Sequence, residues 1–470
     1  MKKINIQKAL KSKKLYAIMW IEILIILVLL CILIRFKVEW TKSLIEIVIA
    51  PLALAVVGAY IYDQIKAWSI SKKQIIPYLT FEADSMQELQ LSKEVFTLEY
   101  SVGKSEWKEL GTEKVEFGGK LGKLLIRGKS RIGTNDATFL FFTKTKVVCT
   151  GDIRTLVDYS KFSEVDTSQA RFERLFQNCK QLVVAPELPA ENLAEKCYVD
   201  MFSGCTSLKR APKLPAKSLS IGCYSRMFCW CTSLEEAPEL PAENLADGCY
   251  HYTFSGCTSL EKAPKLPAIS LAAWCYSNMF LGCSSLKYAP ILSAKNMAES
   301  CCRDMFYGCY SLKEAPKLPA ENLAKECYCY MFFGCASLEE APELPAENLT
   351  EGCYGAMFAG CTSLEKAPKL PAKNLADHCY SGMLSGCASL KEAPKLPAEN
   401  LVKGCYWKMF SGCTSLNEIT MMAIRIDANS CLDYWNDEIA LSGTFYKNKN
   451  AKWNNDGVVP QGWTVKLIEP

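Results

Sequence analysis

Twenty-five cysteines in 470 residues are the side chains of this sequence best equipped for chemistry. Most fall into two columns with a period of 26 residues. One column runs Cys197, Cys223, Cys249, Cys275, Cys301, Cys327, Cys353, Cys379 and Cys405. The other runs from Cys179 and Cys205 to Cys387 and Cys413. Thiolates can hold zinc, form disulfides or act as nucleophiles. The spacing C-x7-C matches no common zinc signature, and the only histidines are His251 and His378. No pairing scheme for disulfides is evident. A free cysteine also packs as a small apolar side chain, and one per unit suits a core. Cys229, Cys302 and Cys329 lie outside the columns and are expected to fill surface slots rather than to react. No metal and no cofactor is expected.

The elements that position these columns are tandem copies. Residues 171–416 hold ten units of 26 residues, the cleanest being CYGAMFAGCTSLEKAPKLPAKNLADH from Cys353. Self-similarity at such a period is the mark of a solenoid, in which each unit buries its apolar face against its neighbours. Counting from the first cysteine, positions 1, 2, 5, 6 and 9 are Cys, Tyr, Met, Phe and Cys. That spacing reads as one face of a short helix closed by Gly at position 8, as at Gly204, Gly256 and Gly360. The S-L-x-x-A-P-x-L-P-A stretch that follows reads as a strand of three or four residues, cut short by prolines such as Pro212 and Pro215. The fold class expected is an α/β repeat solenoid.

The phrases MFSGCTSL, MFAGCTSLEKAP and LPAENLA resemble the BspA-like leucine-rich repeats of bacterial surface proteins, in a 26-residue variant. The flanks PYLTFEADSMQELQL and SGTFYKNKNAKWNNDGVVPQGWTV are similar to segments that bracket such repeats. The resemblance implies a binding or adhesion module with a protein or other macromolecular ligand. It implies no catalytic residue.

Four further segments surround the repeats. Residues 1–14 carry six lysines, and an apolar run follows over 15–34, broken only by Glu22. A second run covers 44–62 with Pro51 inside it, so a transmembrane hairpin of two helices is expected within 15–66. Two spans with the N-terminus in the cytoplasm put nine cations inside and three outside, whereas one span leaves six on each side. The charge rule therefore favours cytoplasmic repeats and the family resemblance favours the cell surface. Residues 75–165 carry short alternating runs, among them Tyr78–Glu82, Phe96–Ser101, Lys123–Arg127, Thr138–Thr143 and Lys146–Thr150, which predict a small antiparallel β-sandwich. The first repeat is degenerate, and Val183 and Val184 suggest contact with that sandwich. Residues 417–470 hold Trp435, Phe445, Trp453 and Trp463 and read as a C-terminal cap.

Repeated positions build the core, so function is sought at the variable ones. Charges at positions 13, 14 and 17 mix signs, as in Lys209, Arg210, Lys213 against Glu235, Glu236, Glu239, and describe a solvated face rather than a nucleic-acid stripe. The unit from Cys275 departs from this with Tyr288 and Ile291. Position 7, mostly Ser or Ala, becomes Leu281, Tyr307 and Phe333 in three consecutive units, with Tyr310 and Tyr330 close by. These seven residues are the candidate binding surface. Two histidines and no clustered acid pair offer nothing that resembles an active site, so a non-enzymatic protein is expected. A purely structural spacer is the competing reading.

Overall fold

The computed structural model describes residues 76–469. The basic segment and both apolar runs, 15–34 and 44–62, lie outside the described residues, and with them the expected hairpin. Among the described residues no helix is long and apolar enough to cross a membrane.

Before the repeats lie β1 (Leu79–Glu82), β2 (Gln87–Leu91), β3 (Leu98–Val102), β4 (Lys108–Glu109), β5 (Val115–Phe117), β6 (Leu124–Gly128), β7 (Phe139–Phe141) and β8 (Val147–Thr150). They form an antiparallel three-stranded sheet, β5-β2-β7, and most of a six-stranded sheet, β4-β3-β6-β1-β8-β9. Alternation does what period-2 patterning requires: Leu79 and Phe81, Leu89 and Leu91, Leu124 and Ile126 all face inward and are fully buried. Phe81 joins the sheets, its ring lying 5.2 Å from Phe139 and 6.3 Å from Phe117.

The last strand of the larger sheet, β9 (Leu182–Val184), belongs to the first repeat and pairs with β8 in parallel. β7 serves as the rung that would precede the turn run of the first repeat. Phe139 donates its amide to the Leu175 carbonyl at 2.8 Å and accepts the Cys179 thiol at 3.1 Å. The rings of Phe81, Phe139 and Phe176 continue into the repeat core at separations of 5.2–6.2 Å.

Within the repeats the expected helix does not form. Positions 26 through 9 are a run of overlapping turns. Every second amide donates three residues back, as Cys197 to Ala194, Val199 to Lys196 and Met201 to Tyr198, at 3.2–3.3 Å. The amides between them donate to the next rung: Tyr198 to Cys223, Asp200 to Ser225 and Phe202 to Met227, at 2.9–3.0 Å. An α-helix would consume all these amides internally and leave no bonds for the neighbour. The apolar positions 1, 5 and 9 follow a period of four, which fits this coil and not a 3.6-residue helix. The coil requires positive φ every fourth residue, at positions 26, 4 and 8, for example Lys196, Asp200 and Gly204. Position 8 is therefore one of three left-handed sites rather than a helix stop. Glycine suits it because a side chain there would meet the rung alongside: a Cβ at Gly412 would stand 3.3 Å from the Gly386 Cα.

The strand is also shorter than expected. Most units contribute single-residue parallel bridges, such as Tyr288 with Glu314 and Glu340 with Lys366, and a second column at Asn296, Asn322 and Asn348. Prolines between the two columns, such as Pro316 and Pro319, remove the amides that would extend them toward each other. Where the proline is lost, β10 (Glu418–Met421) forms and pairs in parallel with β11 (Thr444–Asn448), which pairs with β12 (Thr464–Ile468). The turn run itself repeats once more, with positive φ at Ser430, Tyr434 and Glu438. There Trp435 takes the methionine position and packs on Phe410 and Phe445.

All five inward positions are buried, and three ladders run through the core. Phenylalanines from Phe176 to Phe358 stack ring on ring at 5.2–5.7 Å. The second-column cysteines donate their thiols to the position-6 carbonyl of the preceding rung, as Cys231 to Phe202 at 3.1 Å and Cys309 to Phe280 at 3.2 Å. Tyrosines form the third ladder, broken where Cys302 replaces a ring. Met297, where the other units have leucine, reaches across that level to the Tyr328 hydroxyl at 3.7 Å. The hydroxyls of Tyr198, Tyr224, Tyr250, Tyr276, Tyr354, Tyr380 and Tyr406 are buried and meet no hydrogen-bonding protein group.

Candidate interaction surface

The turn run presents positions 3, 4 and 7 outward, but several small residues there are covered by their neighbours. Ser277 and Ser255 are buried, as are Cys229 and Cys329. The expectation that Cys229, Cys302 and Cys329 occupy surface slots is thus overturned: burial under adjacent turns encloses all three. It also pushes the Cys329 thiol up to about 12 and raises that of Cys229. All cysteines among the described residues are buried and free. Burial holds the Cys231 thiol well above its ordinary range and raises that of Cys335 to about 12, so neither is poised as a nucleophile. Among the described residues no group of three or more His, Cys, Asp and Glu side chains could hold a metal ion.

Larger side chains at these positions form a cluster. The Tyr307 and Phe333 rings stack at 4.6 Å, 5° from parallel, because the 26-residue period places them on adjacent rungs. Tyr330 leans on Phe333 at 5.8 Å. Leu281 stands in the same column, and the backbone links the three rungs: Gly282 donates to Tyr307 and Gly308 to Phe333. Tyr307, Phe333, Tyr330 and Leu281 are half-buried, and Tyr310 is exposed at the corner beside Gly308.

Tyr288 and Ile291 stand elsewhere, on the face of the bridge column. They wall a groove of about 880 Å³ with Ala289, Pro290, Ala315 and Pro316, and none of the turn-run candidates lines it. On this face charges also pair from rung to rung: Lys209 with Glu235 at 2.9 Å, Arg210 with Glu236 at 3.3 Å and, at the rim of the groove, Lys287 with Glu261 at 3.0 Å. The pairs are well exposed and contribute little to stability. They do neutralise the face locally, in keeping with a solvated surface.

Several residues of the turn face escaped sequence reasoning. Arg303 lies 5.5 Å from the Tyr330 ring centre and pairs with both Asp304 and Glu326. Burial raises the Asp304 carboxyl to about 6, against the opposing pull of Arg303. Farther along, Trp230 occupies a glycine slot with φ 60° and covers Gly256. His251 packs against Tyr252 at 4.3 Å, and burial followed by the nearby Arg226 lowers its imidazole to about 4. It is neutral at neutral pH. A tryptophan where nine units favour small or flexible residues was a readable signal. The Arg303–Glu326 pair was not, since residues 23 apart meet only through the geometry of the turns.

Residues 195–339 and 325–433 match the family model of the BspA type leucine rich repeat region, in six copies. No curated protein and no solved structure matches the chain. The family match spans just over half of the sequence and covers the rungs whose ladders are described above. The chain belongs to the BspA-type leucine-rich repeat family.

Proposed function

We propose that this chain is a non-enzymatic repeat scaffold that binds another protein through the turn face of its solenoid. The observation that carries the reading is the Tyr307–Phe333 stack with Tyr330 against it, half-open to solvent where other units have Ser or Ala. Rings stacked along the solenoid turn their edges outward. Such an edge suits burial against apolar and aromatic side chains of a protein, whereas a sugar ring would lie against a face. Leu281 and Tyr310 extend the same surface to either side.

A photocrosslinking residue at 307, in cells, is expected to give a discrete protein adduct that the same residue at 385 does not give. The variant Tyr307→Ser with Phe333→Ser should lose the partner, while thermal unfolding stays unchanged because Ser203, Ser255 and Ser385 already occupy this position. Equal adducts at 307 and 385 would remove the patch from consideration and leave the spacer reading.

The scaffold is proposed to be anchored in a bilayer by the apolar runs 15–34 and 44–62, as a hairpin that keeps the repeats on the cytoplasmic side. The flanking cations support that orientation, and two dozen free thiols suit a reducing compartment. Protease added to intact cells should leave the repeats whole until lysis. Their loss from intact cells would establish a single effective span and a surface role in adhesion.

A further inference from the structure

On the bridge face, one rung breaks a rule that its neighbours keep. Each of the other units between residues 197 and 404 carries a charge at both position 14 and position 17. The unit from Cys275 carries Tyr288 and Ile291 instead, 63% and 73% exposed. Their facing wall comes from the next rung: Lys313, Glu314, Ala315, Pro316 and Lys317. The equivalent groove three rungs on, about 610 Å³, has the same alanines and prolines but carries Lys366 and Lys369 where this one carries Tyr288 and Ile291, so the two exposed apolar side chains distinguish the groove at Tyr288.

Charge defines what would fill it. Lys287 is engaged by Glu261, while Lys313 and Lys317 have no ion-pair partner among the described residues. With Lys287 neutralised, Lys313 and Lys317 against the single carboxylate of Glu314 leave the rim basic around an apolar floor. Shape narrows the choice further. The two walls belong to adjacent rungs bridged at Tyr288 and Glu314, and paired backbones stand about 4.8 Å apart. An extended chain laid along these rungs, rising about 3.3 Å per residue with alternate side chains on one face, keeps step with the two walls.

We infer that the groove between Tyr288–Ile291 and Lys313–Lys317 is a binding site for an extended peptide segment in which branched apolar side chains alternate with carboxylates. An apolar side chain enters between Tyr288, Ile291, Ala315 and Pro316, and flanking carboxylates meet Lys313 and Lys317. The inference rests on the reading of the chain as a protein-binding scaffold, but not on its turn-face patch.

The test is fluorescence anisotropy with the full-length chain in a mild detergent micelle. The probe is a fluorescein-labelled eight-residue peptide alternating glutamate with isoleucine. Saturable binding is expected, weakened at least tenfold by Ile291→Lys and by Lys313→Glu with Lys317→Glu, and weakened by salt. Lysine is the native residue at this position in other rungs, as at Lys265, so Ile291→Lys is compatible with folding. Tyr307→Ser with Phe333→Ser should leave peptide binding intact, which separates this site from the turn face. Equal binding of a peptide with lysine in place of glutamate, full binding by Ile291→Lys, or competition by an oligothymidylate would each overturn the inference.

Discussion

Phe306→Ala is expected to cost about 3–5 kcal/mol, the range for emptying a fully buried phenylalanine site. The loss falls at the upper end because two neighbours lose a stacking partner at once: Phe280 at 5.7 Å and Phe332 at 5.5 Å. In a solenoid each rung touches only the next, so the damage should be local. Hydrogen exchange should show accelerated opening of the amides that cross this level, Phe280 to Met305 and Phe306 to Met331, before those near Phe202 are affected. Phe306→Leu should cost under about 1.5 kcal/mol, since Leu384 already occupies the equivalent place. A loss below about 1 kcal/mol for the alanine variant would mean that the ring ladder is packing without consequence.

Replacing tyrosine by phenylalanine should act in the opposite direction. The Tyr354 and Tyr380 hydroxyls are buried without a protein partner, and an unsatisfied buried hydroxyl costs on the order of 1–3 kcal/mol. Tyr354→Phe and Tyr380→Phe should each raise the urea midpoint, the rings remaining stacked at 5.9 Å as before. Tyr328→Phe should gain less, because its hydroxyl already contacts the Met297 sulfur. A lower midpoint for either of the first two variants would show that those hydroxyls contribute to the core. The same burial holds the tyrosine phenols well above their usual range, so none of the ladder ionises in the folded chain.

The inward side chains were legible because their identity repeats: Cys, Tyr, Met, Phe and Cys at positions 1, 2, 5, 6 and 9 are buried in every full unit that has them. The conformation that turns them inward was not. Of the three positive-φ sites per unit, only position 8 is regularly glycine, whereas position 4 holds Arg226, Tyr252, Asp304 and Lys408. Those residues carry no signal of a left-handed backbone, so the period of four was read as a helix. Five runs before the repeats fall on strands, since inward residues such as Leu79 and Phe81, or Leu124 and Ile126, stand two apart within short runs rich in apolar residues. Gln87–Leu91 was missed although it alternates too, because its first inward position is the polar Gln87, and Lys108–Glu109 is too short to leave a pattern. On the candidate surface, the Tyr307–Phe333 stack follows directly from their spacing of 26. The groove beside Tyr288 does not, because its second wall belongs to the following rung.

Interchangeable rungs create a difficulty of address. During folding, a rung that docks one unit out of place recovers the same amide-to-carbonyl bonds and nearly the same ring stacking as one correctly placed, so mistakes are weakly penalised. Only the two ends carry a unique address: the first rung joins the preceding sheet through β9 on β8, and the last joins the cap through β10 on β11. The count of copies is therefore set from its ends, because no inner rung has a partner that its neighbours could not also offer.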